Sequence, residues 1–131
     1  ARMRSGTELA AKGDAKGAIA AFEAVAADTS VDDAIRDMAH LRAALLLVDH
    51  GAYEDVAKHA ELLAGDAHPL RFSAKEALGL AAWKADKAKE ARDFFQAITD
   101  AETAPRAISE RADLMLSVIA ASGKAPVEAT P

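Results

Sequence analysis

The side chains able to bind a metal or move a proton are thinly spread along this chain. Four histidines, His40, His50, His59 and His68, follow one another at intervals of ten, nine and nine residues. Two imidazoles grip zinc from one helix face when they stand four residues apart, so this spacing predicts no metal site. His50 falls near the end of a predicted helix, where a cation meets the negative end of the helix dipole. The acidic pairs Asp32-Asp33 and Glu54-Asp55 fall at predicted helix starts, where the same dipole favours carboxylates without any role as general acids. The sequence has no glycine-rich phosphate loop, no Gly-x-Ser-x-Gly elbow and no cysteine. The expectation is a chain without catalytic residues, metal or cofactor.

What must then be explained is the scaffold. At 131 residues the chain has the size of one domain, and 35 of those residues are alanine. Alanine has the best intrinsic helix propensity, and only seven Gly and four Pro interrupt it. Aromatic content is 5%, and Val and Ile are scattered singly rather than in alternating runs, which leaves little to build strands from. The net charge is −5, with acids and bases interspersed and no basic stripe of the kind that holds nucleic acid. The longest uncharged stretch, Leu114 to Gly123, is well short of the roughly 18 apolar residues of a membrane span. The chain opens Ala1-Arg2-Met3-Arg4 without an initiator Met and enters a helix at once. That suggests a piece of something longer, with any anchor or targeting segment upstream.

Punctuation divides the chain into seven predicted helices, over about residues 2–12, 14–27, 31–49, 53–64, 70–85, 88–100 and 105–121. Asp14 is placed to cap the second helix, and Ser30 with Asp33 resembles a capping box opening the third. Gly51 and Gly123 stand where a left-handed residue ends a helix, and Pro69 and Pro105 suit first turns. Lys124 to Pro131 reads as a flexible polar tail beyond a domain of residues 1–123. In the last helix Ile108, Ala112, Met115 and Ile119 form an apolar stripe that must lie against its neighbours. Leu114 and Val118 form a second stripe, which either widens the buried face or pairs with another copy.

The turns Gly13-Asp14, Gly51-Ala52-Tyr53 and Asp86-Lys87 recur at intervals of 38 and 35 residues, close to a 34-residue repeat. Ala18 and Phe22 after the first turn repeat as Ala91 and Phe95 after the third, and the third unit also carries Leu78-Gly79. This is the pattern of three degenerate tetratricopeptide units, and it predicts an all-α, right-handed helical-repeat solenoid of about seven antiparallel helices. In that geometry the first helix of each unit lines a concave groove. Leu41, Leu45, Val48 and Asp49 would face it from the second unit, and Glu76, Leu80, Trp83 and Lys84 from the third. Trp83, the single Trp, is either an interface anchor or core bulk in a chain poor in aromatics. Leu45 to Val48 cannot all face one side, so part of that run packs on the fourth and fifth helices.

The stretches Ala21 to Ser30, Arg36 to Ala44, Glu76 to Trp83 and Arg111 to Leu116 together resemble a family of tetratricopeptide-like inner-membrane proteins. That family is related to the ancillary subunit of the bacterial Sec translocon, in its alphaproteobacterial form. The resemblance implies a periplasmic helical domain behind a single N-terminal transmembrane anchor that lies outside this chain. It implies a non-catalytic adaptor whose partners are translocon subunits, periplasmic chaperones or emerging client segments. The rival expectation is a self-assembling scaffold, a homodimer through Leu114 and Val118, with no client to hold.

Overall fold

The computed structural model describes residues 2–126. It contains α1 (Arg2–Ala11), α2 (Ala15–Ala27), α3 (Asp33–His50), α4 (Tyr53–Ala60), a single 3-10 turn (Glu61–Leu63), α5 (Arg71–Lys84), α6 (Ala88–Asp100) and α7 (Arg106–Ser122). There is no strand among the described residues. Each helix packs on the one that follows it, and α5 packs in addition on α3 and on α7.

Alanine sets the spacing of this stack, because its methyl group lets helix axes approach closely. Ala18, Ala39, Ala43, Ala44, Ala60, Ala74, Ala77, Ala82, Ala91 and Ala112 are all fully buried. The few large side chains fall at fixed places among them. Counting from the first residue of α2, α4 and α6, the fourth, eighth and eleventh positions are buried every time. They are Ala18, Phe22 and Val25, then Val56, Ala60 and Leu63, then Ala91, Phe95 and Ile98. In the first and third of these hairpins the phenylalanine ring fills a hollow left by a glycine on the preceding helix. A Cβ on Gly6 would come 2.7 Å from the Phe22 ring, and one on Gly79 would come 2.8 Å from the Phe95 ring. The central hairpin carries Ala44 and Ala60 at the corresponding places, both fully buried.

Several local expectations hold. The Asp14 carboxylate accepts from the Gly17 N–H at 2.9 Å and caps α2, and Gly123 ends α7 at a left-handed φ of 71°. Others do not. Ser30 makes no capping box: its N–H and hydroxyl both donate to Asp28 Oδ1, at 2.9 and 2.6 Å, and the cap position of α3 falls to Asp32. Gly51 ends α3 in extended rather than left-handed backbone, with φ −147°. The fourth helix is shorter than expected because its last turn tightens into the 3-10 turn. Of the predicted tail, Lys124 to Pro126 pack rather than hang free. Ala125 is buried, and Arg92 donates to the carbonyl oxygens of Ala125 and Pro126 at 2.8 and 3.1 Å. The remainder of that tail, residues 127–131, lies outside the described residues.

Replacing Gly79 by Ala sets about 1 kcal/mol of improved helix propensity against about 1–3 kcal/mol of overpacking onto a ring that cannot retreat. Urea unfolding of Gly79→Ala should show a net loss of stability, and a gain would contradict the close contact. A second outcome follows from Asp28, whose carboxyl is held well below the ordinary range by its hydrogen bonds from Ser30 and then Arg2. A depressed carboxyl contributes stability above the unfolded value of 3.8 that is lost as pH falls beneath it. Asp28→Asn should therefore flatten the acid limb of stability between pH values of about 4.5 and 2.5.

Candidate partner-binding face

On α3 the residues that face solvent follow a helical stripe: Ile35, Arg42, Leu45 and Asp49 are exposed, with Met38 half-buried between them. On α5 the corresponding stripe is the exposed Lys84 with Ser73, Glu76, Leu80 and Trp83, all four half-buried. Both stripes arise because every other face of these two helices is taken. α3 is covered by α2, α4 and α5, and α5 by α3, α4, α6 and α7.

The residues expected to line a groove divide. Leu45 is 43% exposed and stands in a crevice of about 210 Å³ between α1 and α3, with Thr7, Ala10, Phe22, Arg42 and Leu46. Leu41 is not in reach of a partner: it is 6% exposed and packs with Ala44 and Leu47 against α4 and α5. The reason is helical phase, since Leu41 and Leu45 are four residues apart but fall on opposite sides of the boundary between the α5-facing and open surfaces. Val48 is half-buried and forms one wall of a second cleft, of about 330 Å³, with Tyr53, Ala81, Lys84 and Lys87. Asp49 and Lys84 bridge α3 to α5, the ammonium lying 3.2 Å from the Asp49 carbonyl oxygen and 3.7 Å from Oδ1. Glu76 is tied up more firmly. Its carboxylate accepts from Arg111 Nε and Nη2 at 2.7 and 3.0 Å, a fork that joins α5 to α7. The same bond raises the pKa of the Arg111 guanidinium above its ordinary value.

Leu80 and Trp83 are half-buried and lean on the Phe72 and Phe95 cluster, so Trp83 serves partly as core bulk. Its outer face is covered by Lys124, whose ammonium sits 5.7 Å from the ring and pairs with Asp86 at 3.0 Å. The two residues of the second stripe of α7 are open: Leu114 is 65% and Val118 41% exposed.

Sequence reasoning missed Arg42, the cation of the α1–α3 crevice. Its guanidinium lies 6.0 Å from the Phe22 ring, and among the described residues it is in no ion pair. Every other charge on the two stripes is spoken for by a neighbour. Its position three residues before Leu45 was the available signal, because residues three apart share a helix face.

Sequence reasoning also missed a polar cluster behind this face. His59 is 4% exposed; its Nε2 lies 2.7 Å from Glu23 Oε2 and its Nδ1 lies 2.9 Å from His40 Nδ1. His68 Nε2 lies 3.1 Å from Asp37 Oδ2 nearby. Among the described residues no group of three or more His, Asp and Glu side chains is disposed to hold a metal ion, and no helix is long and apolar enough to cross a membrane.

Comparison of the chain with protein-family models, with curated proteins and with solved structures gives no match.

The division between open and packed leucines on one helix has a measurable consequence. Leu41→Ala should cost about 2–5 kcal/mol of unfolding free energy, as core truncations do, whereas Leu45→Ser should stay within about 0.5 kcal/mol of wild type. Equal losses in the two variants would place Leu45 in the core as well.

Proposed function

We propose that this chain is a tetratricopeptide-like, right-handed helical-repeat solenoid that works without catalysis, by holding another protein along the open face of α3 and α5. The observation that carries this reading is the repeated hairpin. The same three positions, counted from the starts of α2, α4 and α6, are buried in all three hairpins, and in two of them a phenylalanine, Phe22 or Phe95, packs on a glycine, Gly6 or Gly79. The contacts of α5 with both α3 and α7 are what neighbouring first helices of such a stack would make. A stack of this kind leaves its first helices open on one side, and here that side offers an apolar crevice at Leu45 beside Arg42, which is in no ion pair among the described residues.

The partners we propose are subunits of the Sec translocon, periplasmic chaperones or their client segments, met at the periplasmic side of a bacterial inner membrane through an upstream anchor. What supports this part is the resemblance of Ala21 to Ser30, Arg36 to Ala44, Glu76 to Trp83 and Arg111 to Leu116 to that membrane family. A second reading, self-assembly, is favoured by one observation, the exposure of Leu114 and Val118 four residues apart on the last helix.

Photo-crosslinking from position 45, in cells that make the protein, tests the first reading. Translocon or chaperone subunits should be recovered from position 45 and not from Lys89 on the outer side of α6. Recovery of cytoplasmic proteins alone would overturn the proposed partners. Light scattering across a concentration series decides the second: a dimer abolished by Leu114→Glu would put self-assembly first.

A further inference from the structure

The cluster of Glu23, His59 and His40 joins three helices, with His59 buried at its centre. Glu23 comes from α2 in the first hairpin, His40 from α3 and His59 from α4. An ionised carboxylate can only accept, so the 2.7 Å contact with Glu23 requires a proton on His59 Nε2. The 2.9 Å contact between the two Nδ1 atoms then has room for one hydrogen and no more. With no added proton, His59 is neutral, its Nδ1 is a lone pair, and His40 Nδ1–H donates to it. With one added proton, His59 is an imidazolium that donates to Glu23 on one side and to the Nδ1 lone pair of His40 on the other. With two, both Nδ1 atoms carry hydrogens that point at each other, and the contact cannot survive.

We propose that this cluster is an acid-sensitive clasp of α3 onto α4 within the second hairpin, in which the two imidazoles hold one proton between them and part when a second arrives. The charged groups around it are Glu23 from α2, Arg36 and Asp37 from α3, His59 from α4, and His68, which approaches Asp37 from the segment before α5. Burial, then the charge of His59 and, more weakly, Arg36 push the pKa of His40 below its ordinary 6.5, while Asp37 opposes them. A histidine whose folded-state pKa lies below its unfolded value is protonated more readily in the unfolded chain. Stability therefore falls as pH drops beneath 6.5, through the window down to the depressed folded-state value. The apolar contacts of Phe22 with Ala18 and Ala43, and of Val25 and Ala26 with Ala39, do not titrate and hold the rest of the α2–α3 seam. The contact that opens therefore joins α3 to α4, while the Glu23–His59 contact and these apolar contacts keep the first hairpin in place. The chemistry of the clasp is independent of which protein the crevice accepts.

Two-bond proton–nitrogen NMR spectra of the histidine rings, recorded in metal-free buffer from pH 7.5 to 4.5, test this directly. At pH 7.5 His40 should carry its proton on Nδ1, the less common tautomer, and His59 on Nε2. On acidification the pair should take up one proton with the ring-to-ring nuclear Overhauser effect intact, and lose that effect as the second enters. His40 in the Nε2–H tautomer at pH 7.5, or two doubly protonated rings still in contact, would overturn the proposal. Urea midpoints supply an independent readout. His40→Gln should flatten the fall in stability between pH 7.5 and 5.0. A wild-type pH dependence in His40→Gln would likewise overturn it.

Discussion

The fit of a phenylalanine ring into the hollow left by a glycine on the preceding helix is the contact on which the rest of this molecule depends. It occurs where α1 meets α2 and again where α5 meets α6, with Gly6 and Gly79 each sixteen residues before Phe22 and Phe95. A chain with four Phe, one Trp and one Tyr has little bulk to distribute. Setting one ring per outer hairpin against a bare backbone lets the helices approach closely, so the surrounding alanines can touch. Close approach is worth having only if interiors are densely packed, because small side chains at a normal helix spacing would leave voids. In the central hairpin two alanines, Ala44 and Ala60, stand at the corresponding places in one buried cluster with the longer Leu41, Leu47 and Leu63.

That economy explains what could be read from the sequence. Ala18 with Phe22 and Ala91 with Phe95 announced two hairpins, and the alanine content announced helices with no competing strand signal. The middle unit was legible mainly through its turn, since Val56 and Ala60 stand where the outer units carry Ala and Phe. Gly6 could not be matched to Phe22 without the first unit being seen as complete. Helix ends were less legible where two local bonds compete. Ser30 had both the type and the spacing of a capping residue, but Asp28 lies two residues away and takes both of its donors.

The polar cluster shows a different limit. His40 and His59 are nineteen residues apart and give no pattern along the chain, because the distance that matters is set by the fold-back of α3 on α4. The usable signal was their standing, eleven and eight residues to either side of Gly51, which puts them at comparable heights once the hairpin closes. Glu23 comes from a third helix, so no spacing rule reaches it. Buried polar groups of this sort persist when every member is satisfied, and no buried side-chain nitrogen or oxygen among the described residues lacks a partner.

The open stripes of α3 and α5 owe their character to the same crowding. With their other faces covered, the groups left over include Ile35 and Leu45, the half-buried Leu80 and Trp83, Arg42, which is in no ion pair among the described residues, and charges already joined across the seams as Asp49 with Lys84 and Glu76 with Arg111. The proposal that this face takes a partner is tested most directly by selecting peptides from a random displayed library on the folded chain and rescreening the winners on two variants. The account predicts peptides that bind wild type and Val118→Glu alike and lose binding to Leu45→Glu. Winners indifferent to Leu45→Glu, or lost with Val118→Glu, would contradict it.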